Sequence, residues 1–267
     1  MMKRNRKRTI ELKDVFGGKK VSILGDSIST YDGISNDASA NVTIANNVPF
    51  YVGTRYISSP DQTWWKDVIN ITGMQLLVNN SWEGTTVAKR ENDANSSGCG
   101  DRAVNLHSND GEEPDIIFVY IGTNDYAEDL EIGDYTETNQ IFNSQTGEYV
   151  GDCTIFAQAY ATMIHKIKNR YKNAEVVCLT LLQNDKDFNP DVLVKVNSYN
   201  DIIRKIADKM GVTLIDIEKD LALTEAQYRA DFTGRRALHP NIGGMERIAT
   251  SVLNNMANFY LFKPYKK

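Results

Sequence analysis

Five short apolar runs constrain this chain more than any other feature. They cover residues 20–24, 75–78, 115–121, 175–181 and 212–217. A strand that alternates apolar with polar residues shows one face to water. A near-continuous run is buried on both faces, as in a parallel sheet with helices on either side. The segments between the runs read as helices. Residues 62–69 follow Pro60-Asp61 and stop at Thr72-Gly73. Residues 154–171 set Phe156, Tyr160, Met163, Ile164, Ile167 and Tyr171 along one stripe at helical spacing. Residues 190–210 end at Gly211, with Val194, Ile202, Ile206 and Met210 as buried candidates. Residues 242–261 form the last helix. The expected order is strand then helix, five times over, with right-handed crossovers. That is an α/β fold on a doubly wound, five-stranded parallel sheet.

At 267 residues, 41% hydrophobic and 24% charged, the chain can bury a sizeable core. We expect an N-terminal extension over residues 1–18. A single domain over residues 19–267 follows, with insertions at 30–59 and 126–152. The net charge of −5 argues against nucleic acid as a partner. The basic start, Lys3-Arg4-Asn5-Arg6-Lys7-Arg8, reads as a solvated, frayed end. No apolar stretch reaches 18 residues, so stable membrane insertion is not expected. No apolar core of a secretion signal follows the basic start, which leaves a cytoplasmic protein or a secreted one with its signal removed. Three cysteines are too few for a disulfide scaffold. Cys178 lies in an apolar run and reads as a core thiol. Cys99 and Cys153 lie in loop-like sequence, where they would pair only in an oxidising compartment. No CxxC or HExxH spacing supports a zinc site.

Both insertions leave from C-terminal strand ends, so both should wall the crevice that open α/β sheets use for ligands. The first carries Tyr31, Phe50, Tyr51 and Tyr56. In the second, residues 141–150 read as a small hairpin. The strand ends themselves carry polar blocks. After the first strand comes Gly25-Asp26-Ser27-Ile28-Ser29. Taken alone, this pentapeptide fits a serine nucleophile and a helix cap equally well. If a helix follows at once, its N-terminus adds N–H groups and a positive dipole. After the second strand comes Asn79-Asn80-Ser81-Trp82-Glu83-Gly84-Thr85, and after the third Gly122-Thr123-Asn124-Asp125.

Acyl transfer by serine needs a nucleophile, a base and donors for the oxyanion. Ser27 is the candidate nucleophile. The Ser27 and Gly84 backbone N–H groups and the Asn124 side-chain amide are candidate oxyanion donors. Of three histidines, His165 falls off the apolar stripe of its helix and His107 sits in polar loop sequence. His239, in Leu238-His239-Pro240-Asn241, precedes a helix with Gly243-Gly244 in its first turn. A loop histidine there can reach over a strand end, which makes His239 the candidate base.

The blocks GDSIS, NNSWEGTT, GTND and LHPN, in that order from Gly25 to Asn241, resemble those of the SGNH hydrolases, the GDSL esterase/lipase family. The resemblance implies a three-layer, flavodoxin-like sheet of order 2-1-3-4-5. It implies a Ser27 nucleophile, a His239 base and oxyanion donors from Ser27, Gly84 and Asn124. It also implies no metal or organic cofactor, and acyl esters as substrates. One position departs from the family. An aspartate usually stands three residues before the histidine; here it is Arg236. A cation facing the ring would disfavour the imidazolium that must form. Asp231 and Asp216 are the candidates to orient the histidine instead, neither at the family's spacing. Without a compensating carboxylate we expect modest activity and an alkaline-shifted optimum. With Arg236 facing the ring, the acid limb moves down instead.

The expected function is a serine esterase that removes acyl groups, acetyl above all, from a polar, carbohydrate-like ester. Tyr31, Tyr51, Tyr56 and Trp82 among many Asn and Ser residues suit sugar stacking, and no greasy lid suggests long-chain lipids. The alternatives are a catalytically weakened glycan-binding protein on the same fold, or an acyltransferase using the same residues.

Overall fold

The computed structural model describes residues 11–34, 49–53, 56–91, 96–135, 153–233 and 238–260. The basic start, the hairpin expected at 141–150, and Arg236 lie outside the described residues. The central sheet has five parallel strands in the order β2-β1-β3-β4-β5. These are β1 (Lys20–Gly25), β2 (Gln75–Ser81), β3 (Ile116–Tyr120), β4 (Glu175–Leu179) and β5 (Thr213–Ile215). Every residue of β3 is buried, as its unbroken apolar run requires. A polar residue inside β1, Ser22, is satisfied by donating to the Leu106 carbonyl at 2.8 Å.

Eight α-helices are described: α1 (Leu12–Phe16), α2 (Trp64–Thr72), α3 (Thr123–Ala127), α4 (Phe156–Arg170), α5 (Val196–Met210), α6 (Ile217–Leu221), α7 (Glu225–Asp231) and α8 (Ile242–Tyr260). α8 packs with α1, α2 and α6, while α4 packs with α5. Thr63 caps α2 through the Lys66 N–H, and Gly73 ends it in the left-handed region at φ 68°. Part of the stretch read as an extension belongs to this packing. The α1 residue Phe16 is buried and meets Tyr260 of α8 edge to face, ring centres 4.9 Å apart.

The structure corrects the strict strand–helix alternation. Between β2 and β3 the described residues hold only the 3₁₀ turn Asp101–Val104, with no α-helix. Instead this crossover buries Arg102, Cys99, Ala103 and Leu106. Cys99, Cys153 and Cys178 are all free thiols. No described helix is long and apolar enough to cross a membrane.

Candidate active site

In a sheet of order 2-1-3-4-5 the chain winds outward in both directions from β1. The C-terminal edge beside β1 is therefore where a crevice opens. β1 ends at Gly25, where no side chain fits. A Cβ there would stand 2.6 Å from Ser81 Oγ and 2.8 Å from Ser29 Cβ. No α-helix follows directly. A single 3₁₀ turn, Ser27–Ser29, is capped by Asp26, which accepts from the Ile28 N–H at 3.1 Å. The cap is thus Asp26, not Ser27. Asp26 also accepts from the Thr123 N–H at 3.3 Å, tying the β1 end to the β3 end. Burial pushes its carboxyl up to about 6, against the pull of those backbone N–H groups. The turn is pinned from outside. Trp64 Nε1 donates to Ser29 Oγ at 3.1 Å, and Trp65 Nε1 and Asn79 Nδ2 donate to the Ser29 carbonyl at 3.0 and 2.9 Å.

Ser27 Oγ lies 2.9 Å from His239 Nε2, a contact between residues 212 positions apart. His239 is not on a free loop. It belongs to β7 (His239–Pro240), paired antiparallel with β6 (Phe232–Thr233) in a two-stranded ribbon between α7 and α8. Asn241 anchors the exit by accepting from the Gly244 N–H at 3.2 Å and donating to the Ala230 carbonyl at 2.9 Å. Tyr51 donates to the Pro240 carbonyl at 2.8 Å. The Phe50 ring lies flat on the imidazole, centres 3.5 Å apart and planes within 8°. For Nε2 to accept from the serine, the ring proton must sit on Nδ1. Nδ1 is buried and has no hydrogen-bond partner among the described residues. Removal from water lowers the His239 pKa to about 4. A fall was expected only with Arg236 facing the ring; burial alone accounts for it here.

The proposed donors converge on the same edge. Gly84, past β2, has φ 69°, while the space where its Cβ would stand is open. The backbone conformation, not crowding, is what asks for glycine there. Asn124 lies in the first turn of α3 and spends one amide hydrogen on the Thr85 carbonyl at 2.8 Å, which leaves the second hydrogen available. The neighbouring Asp125 is fully buried and accepts from the Val87 and Ala88 N–H groups at 2.8 and 2.9 Å. It fixes the Gly84 loop to the start of α3. Burial pushes its carboxyl up to about 7.

Arg102 was not foreseen from the sequence, where one arginine in a loop carries no signal. It is 1% exposed and lies over the Trp82 ring at 4.4 Å. Its Nη2 donates to the Gly25 and Asn80 carbonyls, both at 2.6 Å. Its Nη1 donates to Thr85 Oγ1 at 2.9 Å and the Ser96 carbonyl at 2.8 Å, and its Nε to Asn80 Oδ1 at 3.3 Å. One guanidinium thus joins the strand that carries Ser27 to the loop that carries Gly84.

Neither carboxylate expected to orient the histidine bonds it. Asp216 is held by Arg204 Nε and Nη2 at 2.8 and 2.9 Å. Asp231 is held by Arg247 Nε at 2.5 Å. Each has a nearer cation, and its negative charge is committed there. His107 Nδ1 lies 3.0 Å from Tyr171 Oη, and His165 Nε2 lies 2.7 Å from Asn169 Nδ2, neither at this edge. Among the described residues no three His, Cys, Asp or Glu side chains stand together as a metal site would need.

The sheet of order 2-1-3-4-5 with helices on both faces gives the chain a three-layer, flavodoxin-like α/β fold, with its polar strand ends gathered at this edge. The sequence profile of the GDSL-like lipase/acylhydrolases matches residues 19–256. The protein belongs to that family. A candidate GDSL-like lipase from Bacteroides ovatus superimposes with a TM-score of 0.65 at 26% identity, over 91% of this chain and 99% of that one. A second, from Bacteroides uniformis, gives 0.62 at 27% identity, over 90% and 95%. A lipase/acylhydrolase from Enterococcus faecalis, at 17% identity and a TM-score of 0.52 over 93% and 100%, shares the fold. No curated protein matches the chain.

Proposed function

We propose that the protein hydrolyses acyl esters by a serine mechanism with Ser27 as nucleophile and His239 as base. The observation that carries this reading is the 2.9 Å contact between Ser27 Oγ and His239 Nε2 over the C-terminal edge of the sheet. Nε2 takes the Ser27 proton as Oγ attacks the ester carbonyl carbon. The C=O pair moves to oxygen, and the Ser27 and Gly84 N–H groups with the Asn124 amide face the new oxyanion. The imidazolium returns the proton to the departing alcohol, leaving Ser27 acylated. Water, deprotonated by His239 in turn, releases the acid and restores the serine. A fluorophosphonate should add once, on the Gly25–Ser29 peptide, as read by intact mass and peptide mapping. Labelling elsewhere in an active preparation would count against the assignment.

Two outcomes follow from the same geometry. Asn124→Ala should lower kcat by roughly 10²–10³, the cost of removing one oxyanion donor, with KM little changed. An unchanged kcat removes Asn124 from the site. His239 must be neutral to accept a proton, and its pKa is depressed to about 4. Activity should therefore persist as pH falls past the ordinary histidine value of about 6.5, with the acid limb of kcat/KM near pH 4. A limb near the ordinary value would mean that water or a carboxylate reaches the ring.

A short acyl group on a polar, carbohydrate-like alcohol is the finer part of the proposal. Its support is narrower than the sequence suggested. Tyr31, Tyr51 and Trp82 are buried and cannot stack on a sugar. Phe50 and Tyr56 are the half-buried aromatic rings left at the edge. p-Nitrophenyl esters of rising chain length, set beside acetylated xylan, test it. A preference for long chains would sink the carbohydrate reading.

A further inference from the structure

The contact between Phe50 and His239 has an unusual form. Aromatic pairs favour offset or edge-to-face arrangements, because two ring quadrupoles repel when stacked squarely. Here the planes are 8° apart and the centres only 3.5 Å. Ring thickness alone sets that separation, so almost no lateral offset remains. Between two neutral rings this is the least favoured geometry. It becomes attractive once one ring carries a positive charge, because the cation then faces the negative π surface.

Phe50 is held in this pose from several sides. Its N–H donates to Thr30 Oγ1 at 2.9 Å, and Thr30 Oγ1 donates to the Ser27 carbonyl at 2.8 Å. The next residue, Tyr51, packs edge-on against both Phe50 and His239, at 4.8 and 6.4 Å, and bonds the Pro240 carbonyl. Tyr56 lies parallel beyond Phe50, at 6.0 Å and 2°. The segment from Pro49 to Gly53 therefore ties the Ser27 turn to the His239 ribbon. No charged side chain bonds the imidazole among the described residues, and its Nδ1 is without a partner there.

We infer that Phe50 is a positioning residue for His239: its ring fixes the imidazole plane and stabilises the imidazolium that forms as Ser27 attacks, work that a carboxylate on Nδ1 does elsewhere. In the ground state the ring holds the imidazole plane by van der Waals contact alone, and the attraction strengthens when the positive charge appears in the transition state. It therefore acts on kcat rather than on KM. This inference rests on the reading of Ser27 and His239 as nucleophile and base.

The test compares Phe50→Leu, Phe50→Tyr and Phe50→Trp with the unaltered protein on p-nitrophenyl acetate, with Ser27→Ala as control. Leucine keeps an apolar cover but has no π face. Phe50→Leu should lose roughly 10- to 30-fold in kcat with KM within about twofold, a size set by a desolvated cation–π contact. Phe50→Tyr and Phe50→Trp should stay within about threefold of the unaltered protein. In proton NMR of the unaltered protein, the His239 ring protons should be shifted upfield by the Phe50 ring current. A Phe50→Leu kcat within about twofold of the unaltered value, a loss carried by KM, no rescue by Tyr, or absent ring-current shifts each overturn the inference. The NMR reading needs no variant and decides even if Phe50→Leu folds poorly. If Ser27→Ala stays active, the nucleophile assignment fails and this inference falls with it. If Ser27→Ala is inactive while Phe50→Leu is unimpaired, only the role of Phe50 is lost.

Discussion

Ser27→Ala is expected to lower kcat by roughly 10⁶, with little effect on folding. The size follows from how the two groups act. His239 Nε2 has nothing to activate without the hydroxyl 2.9 Å away. The hydroxyl, at its free pKa, is a poor nucleophile without the ring. His239→Ala and the double variant should therefore fall about as far as Ser27→Ala alone. Residual turnover of roughly 10³–10⁴ over water would remain from the oxyanion donors and binding. Steady-state kinetics on p-nitrophenyl acetate measure all three. Losses that add between the two single variants would show that the residues do not act as one unit. The fold should survive because Ser27 is small and its turn is held by Asp26, Trp64, Trp65 and Asn79 instead.

Arg102→Met is expected to cost about 4 kcal/mol of stability and to lower Tm by about 10 °C. Methionine approximates the volume of the stem and forms none of the five hydrogen bonds. The Gly25, Asn80 and Ser96 carbonyls would each lose a charged donor, at about 1–3 kcal/mol for each left unsatisfied. Arg102→Lys should rescue little, since an ammonium cannot span acceptors arranged for a planar fork. Thermal melts of the three proteins decide it. A loss below about 1 kcal/mol would mean that solvent or other donors replace the guanidinium. Activity should fall below the melting transition too, because Gly25 and Thr85 flank the candidate nucleophile and oxyanion donors.

What the sequence determined by itself was local and repetitive. Apolar runs of strand length, broken by helical stripes, could be buried only as a parallel sheet with helices on both faces. Each polar block stood where a run ended, so Ser27, Gly84 and Asn124 were legible as strand-end groups, and His239 by elimination among three histidines. Strand boundaries shifted by a residue or more, because tertiary pairing rather than composition ends a ladder. Among the described residues no α-helix stands between β2 and β3, where one was expected: there a buried arginine and a 3₁₀ turn do the packing. Apart from the meeting of Ser27 and His239 that the family resemblance implied, long-range contacts were not legible. Nothing near position 102 announces that its side chain will bind the Gly25 carbonyl, 77 residues away. Nothing near position 50 says that its ring will lie on an imidazole at position 239. Asp216 and Asp231 looked able to orient that imidazole until the fold gave each a closer cation, Arg204 and Arg247. Tyr31, Tyr51 and Trp82 looked like a sugar platform until the fold buried them. Periodicity and turn chemistry act over a few residues and can be read from a string. Which cation neutralises which carboxylate, and which ring faces water, is decided only when distant segments compete for the same space.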